Sequence, residues 1–326
     1  MNKSIKLIFN YLLAPVLFIV LSWSLYQQIA NQPDLSERWA HIKVSWQNIL
    51  FWVAFILMFI NWGIEARKWQ LLISPLEKFT FLTSVKSVLA GCSVTMLTPN
   101  RIGEYGGRIL YVEESQRLKA ISVTILGSMS QLLVTLVMGT CGLLLMRFFP
   151  QDQRLFFDTL PWILGNVLLT VSIGFSIIMI MLYMKIRFFL NLLLRIHFLS
   201  KLVDYIKVLE VFSGKQLLRI LFLSLSRYIV FILQYVLLLN VMEVEVSIVM
   251  CFWLLTIFYL VMAVAPTIGF LELPVRAAIS LELFRRYSIN IAGIQAAALG
   301  IWLINLVIPA MIGSVLIFGI KILKDR

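Results

Sequence analysis

The sequence predicts an all-α, polytopic membrane protein, with about six spanning helices and two re-entrant broken helices arranged as inverted repeats. Three observations predict it. First, 61% of the 326 residues are hydrophobic and only 13% are charged, with mean hydropathy +0.94. Soluble domains are nearer about 45–50% apolar and 25% charged, and one globular core has too little polar surface to hide such an excess. Second, apolar runs recur that reach the roughly 20 residues a spanning helix needs. Third, two shorter apolar segments each run into a proline, and the same charged pattern follows both.

Taken in order, Lys3 and Lys6 precede an apolar run that lacks a small-x-small cleavage site. Segment 7–27 is therefore read as a signal anchor retained as the first span. The further spans are 46–64, 119–146, 161–184, 217–240 and 290–319. Segment 79–98 carries Lys86 and meets Pro99, and segment 247–265 meets Pro266. Segment 186–213 has helical period, but Arg195, Lys201, Asp204, Lys207 and Glu210 interrupt its apolar face. That pattern suits an amphipathic helix lying in the interface. The whole of 1–326 is read as a single transmembrane domain, with a first repeat at 46–147 and a second at 217–319.

The net charge of +12 would suggest nucleic acid in a soluble protein. Here it is read as the bias of cytoplasmic loops toward Lys and Arg, together with attraction to anionic lipid, and no nucleic-acid partner is expected. If both short segments turn back, the outer side holds only Arg38, Lys43, Arg147, Arg154, Arg276, Arg285 and Arg286. Apart from Arg227, within a span, every other Lys and Arg then falls inside. Full crossing of both segments divides the charges more evenly. Two re-entrant segments and cytoplasmic N- and C-termini are therefore expected. Cys92, Cys141 and Cys251 lie in apolar runs without metal-ligand spacing, and His41 and His197 stand alone. No disulfide, metal or other cofactor is expected.

The two short segments continue into TMLTPNRIGEYGGRILYVEESQR and MAVAPTIGFLELPVRAAISLELFRR. Pro99 matches Pro266, Glu104 and Arg108 match Glu272 and Arg276, and Glu113 and Arg117 match Glu282 and Arg286. One Glu-x-x-x-Arg is an ordinary helical pair. Two in the same order, after a proline and before a long span, point to duplication. Inverted repeats place substrate sites at broken helices in corresponding positions of the two halves. Pro99 and Pro266 break the helices, and Gly103 and Gly269 allow the tight backbone that follows.

Guanidinium groups at such depth need anionic partners and offer a planar fork for phosphate or carboxylate. Arg101, Arg108, Arg227 and Arg276 against Glu104 and Glu272 leave two positive charges uncompensated. That surplus suits an anionic headgroup; the competing reading is a set of salt bridges that merely joins the halves. Arg227 shares a helical face with Ser224 and Gln234, and is read either as part of the site or as a side chain reaching back to the interface. Gln131, Ser128 and Asn305 fit interhelical hydrogen bonds or a pathway lining equally. Asn61, Glu65 and Arg67 are read as the end of the second span, with Trp62 and Trp69 as interfacial anchors. No nucleophile elbow, P-loop, metalloprotease helix or dinucleotide loop occurs, so no catalytic residues are assigned and an enzyme is not expected.

TPNRIGEYGGRIL and APTIGFLELPVRAA resemble the signatures of the lysylphosphatidylglycerol synthase transmembrane family, also called flippase-like membrane proteins. The resemblance falls on Pro99, Arg101, Gly103, Glu104 and Arg108, and on Pro266, Gly269 and Glu272. Phe270, Leu271 and Pro274 depart from the usual glycine-rich context of the second motif. The resemblance implies lipid handling: in two-domain members the membrane part moves an aminoacylated phospholipid made by a soluble synthase domain. This chain ends at Arg326, directly after its last span, so a stand-alone membrane domain without synthase activity is expected.

The expected function is translocation of an anionic or aminoacylated phospholipid, or a polyprenyl-phosphate-type lipid, in the inner (plasma) membrane. Arg101, Glu104, Arg108, Arg227, Glu272 and Arg276 would bind the headgroup. Membrane phospholipids are the expected partners, with a separate lipid-modifying enzyme as a further one. The alternatives are a membrane-embedded transferase using a lipid-linked donor, with Asp34 and Glu37 as its acidic pair, and a secondary transporter of a small organic anion.

Overall fold

The computed structural model describes residues 35–96, 98, 102–148, 162–194, 205–265 and 272–324, with Trp23, Tyr26, Gln27, Ile29 and Ala30. Among them the chain is helical and without strands, as the hydropathy demands: in lipid each backbone N–H and C=O must find its partner inside the segment. Among the described residues five helices are long and apolar enough to cross a membrane: Ile49–Ile73, Glu114–Phe148, Gly165–Met184, Gly214–Val241 and Ile291–Phe318. Expected span 7–27 lies almost wholly outside the described residues, as do Pro99, Arg101, Pro266 and Gly269.

In chain order the helices are α1 (Leu35–Val44), α2 (Ile49–Ile73), α3 (Phe81–Met96), α4 (Gly103–Arg108), α5 (Arg117–Phe148) and α6 (Trp162–Met184). Then follow α7 (Ile186–Leu194), α8 (Gly214–Val241), α9 (Ile248–Val264), α10 (Glu272–Phe284), α11 (Ile291–Trp302) and α12 (Ile308–Lys324). A π-helical turn at Leu303–Val307 joins α11 to α12. Pro309 accounts for its position: it has no N–H to return to the carbonyl of Asn305, so the helical ladder loosens one turn earlier. Segment 186–213 holds α7 and a 3₁₀ turn at Lys207–Val211, with 195–204 outside the described residues.

Local chemistry sets the helix starts. Ser213 Oγ accepts from the N–H of Gln216 while Gln216 Oε1 accepts from the N–H of Ser213, a reciprocal cap on α8. Ser247 and Asn290 cap α9 and α11 in the same way, from one side.

The order long helix, short apolar helix, charged helix, long helix occurs twice: α2–α3–α4–α5, and α8–α9–α10–α11/α12. α2 packs along α8. α3 packs against α12, and α9 against α5, so each short helix rests on the last long helix of the other half. Small residues permit both approaches. A Cβ on Gly142 would overlap Thr256 of α9, and one on Gly313 would overlap the Leu89 carbonyl of α3.

The burial pattern is that of a protein dissolved in lipid. On α2, Ile49, Trp52, Ile56 and Phe59 are exposed, whereas Asn61, Glu65 and Lys68 are buried. Apolar side chains meet the acyl chains and polar ones meet each other inside the bundle. The second span is also longer than expected. It runs on past residue 64 to Ile73, through Glu65, Arg67 and Lys68. Hydropathy alone ends the helix at these charges; partners on other helices let it continue.

Candidate functional site

α2 presents Asn61, Glu65 and Lys68 at helical spacing on one inward face. Glu65 is 2% exposed and receives three cations. Arg108 of α4 reaches its Oε1 at 2.6 Å, and Lys68 and Arg227 reach its Oε2 at 2.8 Å and 3.1 Å. Arg108 also pairs with Glu104, one turn earlier on α4. Arg227 Nε donates to Asn61 Oδ1 at 2.8 Å, and Lys68 Nζ donates to Ser224 Oγ at 3.5 Å. Each buried charge thus has an opposite charge and a hydrogen-bond partner, the condition for tolerating it away from water.

Aromatic rings complete the packing of the cations. The Arg108 guanidinium lies 5.1 Å from the Trp69 ring, and that of Arg227 lies 5.3 Å from Trp62 and 5.1 Å from Phe231. Trp69 is fully buried and so is no interfacial anchor. Its indole is the floor under Arg108. Trp62 likewise serves Arg227.

Arg108 reaches Glu65 because α4 presses closely on α3. Gly103 and Gly107, one turn apart, make the contact. A Cβ on Gly107 would stand 2.5 Å from the Gly91 Cα and would overlap the Ala90 carbonyl. Ser87 Oγ donates to the Arg108 carbonyl at 2.9 Å, fixing the end of α4.

The second half contributes a simpler couple. Arg276 Nη2 pairs with Glu272 Oε1 at 2.9 Å on α10, and its guanidinium lies 5.6 Å from the Phe258 ring of α9. Next along the repeated pattern, Arg286 pairs with Glu282 at 3.3 Å. The first half differs there: Arg117 pairs with Glu114 at 3.2 Å, not with Glu113, because a 3₁₀ turn at Glu114–Gln116 changes the spacing to three.

Among the described residues a cleft lies between the halves, with about 580 Å³ of empty space, counting that open to the outside. Its charged lining is Glu104 of α4 from the first half, with Arg227 of α8 and Glu272 and Arg276 of α10 from the second. Asn305, at the π-helical turn, also lines it. A polar chain runs from there across the bundle. Asn61 Nδ2 donates to Asn305 Oδ1 at 3.0 Å, and Asn305 Nδ2 donates to Gln234 Oε1 at 3.1 Å. Gln234 Nε2 in turn donates to the Ala54 carbonyl at 2.9 Å.

Of the residues expected from the sequence, Glu104, Arg227, Glu272 and Arg276 line this cleft. Arg108 stands directly behind Glu104, bonded to it. Arg101 lies outside the described residues. Arg227 does not reach back to an interface; it is held by Glu65 and Asn61. Asn305 is at once a lining residue and an interhelical hydrogen-bonding one. Gln131 Nε2 donates to the Ser224 carbonyl at 3.4 Å, away from the cleft lining. Sequence reasoning missed Glu65 and Lys68, although Asn61, Glu65 and Lys68 at i, i+4 and i+7 were a readable polar stripe.

At the cleft the acids are held by cations, and the cations are directed at carboxylates: Glu104 by Arg108, Glu272 by Arg276, and Arg227 toward Glu65. No curated protein and no solved structure matches the chain. A family model described as Lysylphosphatidylglycerol synthase TM region matches residues 11–313, nearly the whole sequence, so this multi-pass membrane protein belongs to that family and has a membrane-lipid-related role.

Proposed function

We propose that the protein is a non-enzymatic lipid translocator of the plasma membrane, with both termini cytoplasmic. The headgroup of an anionic or aminoacylated phospholipid, or of a polyprenyl-phosphate-type lipid, passes through the cleft between two halves related as inverted repeats, while its hydrocarbon chains stay in lipid. The observation that carries this reading is the shared cleft, in which Glu104 and Arg227 stand together with Glu272 and Arg276. Charges inside a membrane are costly and mark pathways for polar cargo.

The short helices fit the same reading. α3 and α9 have 16 and 17 residues. At the helical rise they reach only about 24 and 26 Å, short of the roughly 30 Å hydrocarbon core. We take them as re-entrant elements that bring α4 and α10 to membrane depth from opposite leaflets. Glu104 and Glu272 then hold Arg108 and Arg276 in the empty state and release them to a phosphate.

The test is translocation of fluorescent phospholipid in proteoliposomes. Arg108→Ala and Arg276→Ala are expected to slow it at least about tenfold, the range of a lost charge-assisted hydrogen bond. Arg285→Ala, on an exposed side chain, is the control and leaves the rate unchanged. Wild-type rates in both cleft variants would overturn the reading. Gradient-driven uptake of a soluble anion without lipid movement would replace it with an organic-anion transporter.

A further inference from the structure

Among the described residues, the buried side-chain atoms on the cleft lining that lack a hydrogen-bond partner are all N–H donors. Trp62, on α2, and Trp302, the last residue of α11, both line it. The indole N–H of each is buried and has no acceptor. The same holds for Arg276 Nε, on a residue only 8% exposed. Buried donors without acceptors are rare in folded proteins, and each one costs free energy. Three occur on residues that line a single cleft, where one ligand bringing oxygen acceptors would satisfy them together.

The charges restrict that ligand further. Among the described residues, each cation lining the cleft already faces a carboxylate: Arg227 faces Glu65 at 3.1 Å, and Arg276 faces Glu272 at 2.9 Å. Arg227 and Arg276 are matched in number by Glu104 and Glu272 on the lining itself. A phosphomonoester carries about 1.5–2 negative charges near neutral pH and would set the second against those two carboxylates. A phosphodiester carries one. Its non-bridging oxygens accept from neutral N–H groups without demanding further positive charge.

We propose that this cleft selects a singly charged phosphodiester, and that the indole N–H groups of Trp62 and Trp302 together with Arg276 Nε are its oxygen-binding donors. The inference rests on the lipid-translocation reading and narrows it to diacyl phospholipid headgroups, excluding lipid monophosphates such as polyprenyl phosphates. Trp62 and Trp302 come from the two different halves, so one headgroup oxygen set bridges them. The N–H groups are shut off from water, so admission of the headgroup widens the cleft, and the incoming oxygens supply the acceptors that the closed form lacks.

The experiment uses the full-length protein in maltoside detergent, which contains no phosphate, and two soluble probes measured by titration calorimetry. Glycerophosphoglycerol is the diester and glycerol 3-phosphate the monoester. The diester is expected to bind at least about tenfold more tightly. Trp62→Phe and Trp302→Phe keep a ring but lose the N–H, and each is expected to weaken diester binding about 3- to 10-fold. Either variant alone suffices should the other fail to fold. Equal affinity for the monoester, no binding of the diester, or wild-type affinity in the folded Phe variants would overturn the proposal. Diester binding without lipid movement in proteoliposomes would sink the transport reading alone; lipid movement without diester preference would sink this inference alone.

Discussion

Glu65→Gln is expected to remove a large part of the protein's stability. The carboxylate is 2% exposed and neutralises Lys68, Arg227 and, with Glu104, Arg108. The amide keeps the shape but leaves Lys68 and Arg227 without their opposite charge. Removing one member of a buried ion pair costs about 3–5 kcal/mol, because the remaining charge is stranded in a poorly polarisable interior. That is a large part of the roughly 5–15 kcal/mol by which folded proteins are stable. The thermal midpoint of the purified protein in detergent should fall by many degrees. Lys68→Met added to Glu65→Gln should recover part of the loss, since it removes one stranded cation. A single variant as stable as wild type would show that water reaches the cluster and screens it.

Gly107→Val is expected to have the next largest effect, and Gly106→Ala beside it almost none. A Cβ at 107 meets backbone, the Ala90 carbonyl and the Gly91 Cα, which cannot swing aside as a side chain can. At Gly106 a Cβ meets nothing within 4 Å. Overpacking of this kind costs about 1–3 kcal/mol, and here it also drives α4 off α3. Arg108 then moves away from Glu65, so lipid translocation should fall more steeply than stability. Thermal midpoints and proteoliposome rates for the two neighbouring variants make the comparison. Equal behaviour of the pair would mean that α3 and α4 are not in close contact.

Much of the architecture was legible before any coordinates, for a physical reason. Lipid enforces helices, and a helix long enough to span shows its apolar length directly in the sequence. The Glu104–Arg108 and Glu272–Arg276 couples were legible too, because a spacing of four is local and fixed by helix geometry. What escaped was long-range. Glu65 reads as the end of a span because a hydropathy window sees a charge and not the Arg108 and Arg227 that answer it from far along the chain. Trp69 reads as an interfacial anchor for the same reason: its role is set by the guanidinium above it. Arg227 reads two ways from the sequence, and only Glu65 and Asn61, brought to it across the α2–α8 contact, decide between them. The Asn61–Asn305–Gln234 chain joins three separate helices, and no local pattern could reveal it.

The most direct test of the account is where lipid sits in the protein. An electron cryo-microscopy map of the full chain in nanodiscs containing phosphatidylglycerol is expected to show headgroup density inside the cleft, with its phosphate within hydrogen-bond distance of Arg276 and of at least one of Trp62 and Trp302. A map with the cleft collapsed around its own ion pairs, and ordered lipid only along the outer faces of the helices, would contradict it.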